Sequence, residues 1–280
     1  MKARGLHASA LKLILEVSEE ENWFCRKFSR LISLLVVFCD TLVEKAIGRT
    51  LFMSIDFKGS HYPKDVILYA VFFYVRYAVS YRDLEEIMAE RGVHVDHATL
   101  NRWVVKYSPS IAKAAQLRKQ PTAKSWRMDE TYIKVKGKWM YLYRAVDKHG
   151  KTLDFMLSPR RDKAAARRFF RHAIKVNGIP QRIVIDKSGA NLAGILRINV
   201  GLKFSRRHKQ IKILRVKYLN NIVEQDHQFR KKITRPTLGF KAFHSAAATL
   251  SGIEVAHMIR KKQIQTNHTS PFKQFASLAA

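Results

Sequence analysis

The chain has 280 residues, enough for one to three domains, and is 47% hydrophobic with only 12 Gly and 7 Pro. That composition excludes a collagenous, low-complexity or largely disordered polypeptide. Against 22 Asp and Glu stand 52 Lys and Arg, a formal net charge of +30 that far exceeds what solubility needs and favours polyanionic partners.

Residues 1–52 differ from the rest. They carry 8 Lys and Arg against 6 acids, leaving +28 for residues 53–280, and they hold both cysteines, Cys25 and Cys39. The body therefore has neither a disulfide framework nor a Cys-rich zinc site, which fits a reducing cytoplasm. The apolar run Leu31–Cys39 is far short of the ~20 residues of a membrane span. It follows Glu19–Glu21 and lacks a small-residue cleavage site, so it does not read as a signal peptide. Ser18 and Glu21 form a capping-box pattern, with Phe24, Phe28, Leu31 and Leu35 on one helical face. The segment reads as a helical extension, and Met53 as an alternative start.

Three helical patterns follow in residues 53–110. The first is apolar, from Asp65 to Arg76; the second runs from Ser80 to Glu90 with Leu84, Ile87 and Met88 on one face. A turn at Arg91-Gly92-Val93 leads to the third, His97–Tyr107, capped by Asp96 and stopped by Pro109. Two short helices around a Gly turn, braced by a longer one, predict a helix-turn-helix DNA-binding domain. Leu100, Trp103 and Val104 then pack inward, leaving Thr99, Asn101, Arg102 and Lys106 to DNA. An ordinary three-helix bundle is the alternative.

Residues 111–125 read as a basic linker, after which the apolar period changes from 3.6 to 2. Strands are expected at 126–135, 139–147 and 151–158, joined by Lys136-Gly137-Lys138 and Lys148-His149-Gly150. An amphipathic helix over 162–177, a buried strand over 182–186, a helix near 190–199, a strand over 211–216 and helices over 222–232 and 241–260 complete the pattern. The order β-β-β-α-β-α-β-α predicts an α/β domain over 126–262, a ribonuclease-H-like mixed sheet with flanking helices, followed by a tail over 263–280.

Acids are scarce in this body. Asp129 lies on the apolar face of the first strand, with Glu130 pointing the other way, and Asp186 ends the fourth. Glu224 falls in the first turn of the next helix, where a cap at Asn221 puts it in a capping box; Asp226 reads as a surface pair with Arg230. Asp129, Asp186 and Glu224 can converge on one end of such a sheet and hold two Mg²⁺ ions for nucleotidyl transfer, with Mn²⁺ able to substitute.

The chain from about Phe57 to Lys262 resembles a bacterial DDE transposase of insertion sequence family six. The resemblance is carried by Phe57-Lys-Gly-Ser-His-Tyr, Val95-Asp-His-Ala-Thr-Leu-Asn-Arg-Trp103 and Met128-Asp-Glu-Thr-Tyr-Ile-Lys-Val135. It continues through Ile185-Asp-Lys-Ser-Gly-Ala-Asn191, Val216-Lys-Tyr-Leu-Asn-Asn-Ile-Val-Glu-Gln-Asp-His227 and Thr237-Leu-Gly-Phe-Lys241. It implies that Asp129, Asp186 and Glu224 form the metal site, with Lys231 as the basic catalytic residue seven positions on. It also implies binding to the terminal inverted repeats of an insertion sequence, cleavage and strand transfer into target DNA, replicative movement and a homo-oligomeric synaptic complex. Arg206, Arg207, Lys209 and Lys212 are expected to meet phosphates near the site. Two alternatives are a catalytically inactive DNA-binding protein or repressor derived from such an element, and a structure-specific nuclease.

Overall fold

The computed structural model describes residues 55–280 apart from Gly59, Lys187 and 206–209. The helical extension expected over 1–52, Met53, and the expected phosphate contacts Arg206, Arg207 and Lys209 lie outside the described residues. The chain divides into two compact units: residues 82–97 fall in one, while 55–81 and 98–280 form the other.

Helix α1 (Lys64–Arg76) is apolar nearly throughout and buries Ile67, Leu68, Val71 and Val75. Helix α2 (Tyr81–Ala89) buries Leu84 and Met88, four residues apart on one face. Gly92, at φ +74°, supplies the left-handed turn after it. The carboxylate of Glu85 then accepts the backbone N–H of His97, the first residue of α3 (His97–Leu117).

Pro109 does not stop α3, contrary to the sequence reading, and the expected linker over 111–125 is helical as far as Leu117. Proline removes one backbone donor and costs about 3 kcal/mol inside a helix. Here the apolar stripe Leu100, Trp103, Val104 and Tyr107 continues past it to Ile111 and Ala115, both fully buried, and that burial offsets the loss. The expected C-terminal tail is likewise structured. Helix α8 (Pro271–Ser277) packs on α1, where the tilted rings of Phe272 and Phe275 meet Phe72 with centroids 5.7 and 5.3 Å away.

The alternating pattern from Ser125 makes three antiparallel strands, β1 (Ser125–Val135), β2 (Lys138–Asp147) and β3 (Thr152–Ser158). Lys136 and Gly137, both at positive φ, form the two-residue turn between β1 and β2. After α4 (Lys163–Asn177), capped by the Asp162 carboxylate on the Ala165 N–H, the chain adds β4 (Arg182–Val184) parallel to β1. Helix α5 (Gly189–Ser205) returns to β5 (Lys212–Leu214), parallel to β4. The sheet order is β3-β2-β1-β4-β5.

Trp126, Met128, Tyr143 and Ala145 on one sheet face meet Ala165, Phe169, Phe170 and Ala173 of α4 in a continuous core. The other face carries α6 (Asn221–Thr234) against β1 and β2, and α7 (Phe243–Arg260) against β3. A meander extended by two parallel strands, with helices on both faces, is the ribonuclease-H-like architecture. Helix α7 also crosses α1 closely. A Cβ on Gly252 would lie 2.7 Å from both Val75 Cγ1 and Ser108 Oγ.

On the exposed side of α4, His172 Nδ1 lies 2.6 Å from the buried Asp154 carboxylate. The hydrogen bond to Asp154, reinforced by its charge, raises the His172 pKa. A raised folded-state pKa means that this pair stabilises the fold below the ordinary histidine range and that the contribution fades as pH rises through the folded value. Proton-detected titration should therefore place His172 above 6.5, and Asp154→Asn should bring it back down. An unchanged titration in that variant would remove Asp154 as the cause.

Candidate active site

Pairing of β1 with β4 aligns Arg127 with Val184, so Asp129 and Asp186 follow at matching positions two residues beyond. Strand β4 is shorter than the sequence pattern suggests, and Asp186 stands just past its carboxyl end, with the Ser188 N–H donated to its Oδ1 at 2.9 Å. Each of Asp129, Glu130 and Asp186 offers an oxygen within 4.8 Å of the others. Three converging carboxylates form a hard, all-oxygen donor set of the kind divalent cations take.

Glu130 was read as pointing away from Asp129, yet it belongs to this group. Alternation sends its side chain to the α4 face of the sheet, and from the middle of β1, level with the loop that follows the shorter β4, it still reaches Asp186. Burial raises its pKa, against the pull of Arg161, whose Nη2 lies 3.3 Å from both Glu130 and Asp186. Across the ladder, burial and then Glu130 push the Tyr143 phenol up to about 12.

Glu224 is not part of the three-carboxylate group; it is exposed in the first turn of α6. The expected capping box is absent because a 3-10 turn, Lys217–Asn220, runs straight into the helix. Asn220 occupies the cap position without a side-chain cap bond and donates Nδ2 to the Met128 carbonyl at 3.4 Å instead. This contact seats the start of α6 beside β1. Glu224 shares a flank of α6 with His227 and Lys231, at spacings of three and four residues.

His227 is the link between α6 and the acids. Its Nε2 lies 3.3 Å from Asp129 Oδ2, and its Nδ1 lies 2.7 Å from Arg230 Nη2. A guanidinium has only donors, so Nδ1 accepts and the ring proton sits on Nε2, facing Asp129. Burial lowers the His227 pKa, although the neighbouring Asp129 carboxylate pulls the other way.

Behind His227 lies a buried ionic cluster that the sequence reading missed. Arg230 Nη1 donates to Glu254 Oε1 at 2.6 Å, and Arg144 Nη2 donates to Glu254 Oε2 at 2.9 Å. Arg144 and Glu254 are fully buried. Burial works to raise the Glu254 pKa, but Arg144 and Arg230 hold it well below the usual carboxylate range. Asp226, expected as an exposed partner of Arg230, is buried at 7% exposure and pairs with Arg144, His257 and Lys261. Seating α6 on the sheet turns Asp226 toward β2, while Arg230 reaches Glu254 on α7.

Of the residues assigned to DNA, Arg102 and Lys106 are exposed on α3, and Arg102 Nη2 donates to Thr99 Oγ1 at 2.6 Å. Asn101 is half-buried beside Tyr81 and is less open to a groove than expected. Lys212 is exposed at the start of β5, and Lys231 is exposed on α6. Among the described residues, no helix is long and apolar enough to cross a membrane.

Residues 123–263 match the family described as DDE domain. The chain is 40% identical over 206 residues to the transposase for insertion sequence-like element IS431mec of Staphylococcus aureus strain Mu50, covering 74% of this chain and 89% of that protein. The same identity and coverage hold for the transposase for insertion sequence element IS257 in transposon Tn4003 of Staphylococcus aureus. Among solved structures, the HTLV-2 integrase catalytic core domain in complex with magnesium aligns with 57% of this chain and 99% of that one, at 16% identity and a TM-score of 0.39.

Proposed function

This chain belongs to the bacterial DDE transposases of insertion sequence family six, DDE-type polynucleotidyl transferases, and from that premise we propose that it binds the terminal inverted repeats of its element, cuts there and joins the ends to target DNA by a replicative route. The observation that carries the reading is the convergence of Asp129 and Glu130, midway along β1, with Asp186, just past the end of the parallel strand β4, in a chain of net charge +30. An acid pocket within so basic a protein suits a metal-assisted reaction on a polyanion.

On this reading Asp129 and Asp186 hold the divalent cation, Mg²⁺ with Mn²⁺ as substitute, and Glu224 is the third protein ligand. The donor set fits, since oxygens of this kind are what Mg²⁺ prefers. A pair of bound ions supplies an activated attacking hydroxyl and stabilises the leaving 3′ oxygen. Glu130 is less suited to be that third ligand, because burial favours its protonated form and Arg161 already occupies its oxygens. Glu224 is exposed on the flank of α6 nearest the His227 that touches Asp129. Arg161 orients Asp186 and screens the repulsion between the acids. Lys231, one turn beyond His227, meets a DNA phosphate. The α2–turn–α3 segment acts as the helix-turn-helix, with Arg102, Thr99, Asn101 and Lys106 toward the repeats and Lys212 toward phosphates. A homo-oligomer brings two element ends together.

The test is a strand-transfer assay with purified protein, a plasmid carrying the inverted repeats that flank the gene, and Mg²⁺. Nicked ends and joined target products are expected. Tight, specific binding to the repeats with no cleavage in either Mg²⁺ or Mn²⁺ would establish the repressor alternative instead. In the same assay Glu224→Gln should lose about a hundredfold or more, whereas Glu130→Gln should stay within about tenfold of the parent. The reverse order would move the third ligand onto β1.

A further inference from the structure

The sheet face that carries Glu130 continues outward along the β1–β2 hairpin. Cross-strand partners share a face, so Glu130, Tyr132 and Lys134 on β1 stand opposite Tyr143, Tyr141 and Trp139 on β2. Near the acids this face is covered: Tyr143 is fully buried, with its ring 5.8 Å from Phe169 of α4. Farther out the cover ends. Tyr141 is half-buried, Tyr132 is 52% exposed and Trp139 is 61% exposed. The three rings form one group, with centroids 5.4 Å apart for Tyr132–Tyr141 and 6.3 Å for Tyr132–Trp139. Lys134 on the same face and Lys136 in the adjoining turn are both exposed beside it.

Exposed aromatic faces ringed by lysine are what single-stranded nucleic acid takes: bases stack on the rings while ammonium groups meet the phosphates. Paired bases inside a duplex offer no free face. The site also adjoins the acids, since Tyr132 is two strand positions from Glu130, about 7 Å along β1. We propose that Tyr132, Trp139 and Tyr141 form a stacking platform for unpaired bases of a DNA strand led away from the acid group, with Lys134 and Lys136 holding its backbone. The proposal rests on the reading of this chain as an enzyme acting on DNA, and it names the form of DNA, unpaired, that this face receives. The two rival occupants are intact duplex, held by lysine charge alone, and a second copy of this chain.

The experiment uses the full chain, a labelled oligo-dT strand and a labelled random duplex of equal length, with no element end in either. Oligo-dT should quench tryptophan fluorescence in the parent and much less in Trp139→Phe. Trp139→Ala should bind oligo-dT about tenfold more weakly with duplex affinity unchanged, Tyr132→Ala should behave alike, and Trp139→Phe should retain most of the affinity. Circular dichroism and the thermal midpoint establish that each variant is folded. Equal losses on both DNAs, or no loss on either, would overturn the platform. So would a fall in oligomer size in Trp139→Ala with oligo-dT affinity intact, which would assign the face to a second copy. Failure here with strand transfer intact leaves the proposed function standing; a protein that stacks oligo-dT on Trp139 yet never cuts element ends gives the opposite outcome.

Discussion

Asp129→Asn and Asp186→Asn are each expected to lose DNA cleavage and joining by about a thousandfold or more, the scale on which removing a group at the reacting centre acts. Both substitutions keep size and shape while removing the charge that holds a divalent cation. The two side chains are partly open, 20% and 37% exposed, so neither should disturb the core. Thermal midpoints should stay close to the parent value, and binding to end DNA should persist or tighten as acid near the phosphates is removed. The check is a single-turnover cleavage assay beside a thermal melt of the same preparations. Either variant cutting within tenfold of the parent would remove that aspartate from the site.

The largest effect on stability is expected from Glu254→Gln. This carboxylate is the shared partner of Arg144 and Arg230, and all three are buried. Replacing it by a neutral amide leaves two interior guanidinium groups with one fewer anion between them, and breaking such an arrangement costs about 3–5 kcal/mol. Denaturant unfolding measures the loss directly; a change below about 1 kcal/mol would show the cluster to be open to compensating water. The sign with pH follows from the lowered Glu254 pKa. The contribution is fully present above the ordinary carboxylate range and is lost progressively as pH falls from there to the much lower folded value, so the parent should lose stability steadily as acid is added below that range. Activity should fall as well, because Arg230 orients His227 and His227 touches Asp129.

The layered fold was legible because its signals are local. Alternation over 126–158, the Lys136-Gly137 turn, the Asp162 cap and the Gly178 stop each act within a few residues, and all occur close to where they were read. The aspartates were legible for a related reason: an acid on an otherwise apolar strand has few structural uses. Pro109 misled because a backbone rule was applied without the tertiary burial of Ile111 and Ala115 that overrides it. The ionic cluster was invisible because Arg144, Arg230 and Glu254 come from β2, α6 and α7, and no spacing rule links positions so far apart. Asp226 and Arg230 stand four residues apart, which made a surface pair the natural reading until the α6 face was known. Glu130 was assigned away from Asp129 by strict alternation, which describes side-chain direction at Cβ but not the reach of a long carboxylate toward the loop after a shorter neighbouring strand.

The cluster behind His227 also sets an order of events during synthesis. Arg144 leaves the ribosome well before Arg230, and Glu254 follows last of the three. Until Glu254 emerges, Arg230 has no anion to meet in the interior and Arg144 has only Asp226, so α6 is held beneath Asp129 by an incomplete cluster. The acid-bearing strands are thus made long before the element that fixes them in place. A copy of the gene interrupted between Lys231 and Glu254 would yield a product carrying every residue assigned to catalysis and still unable to hold them together, so loss of Glu254 should silence the protein as surely as loss of an aspartate.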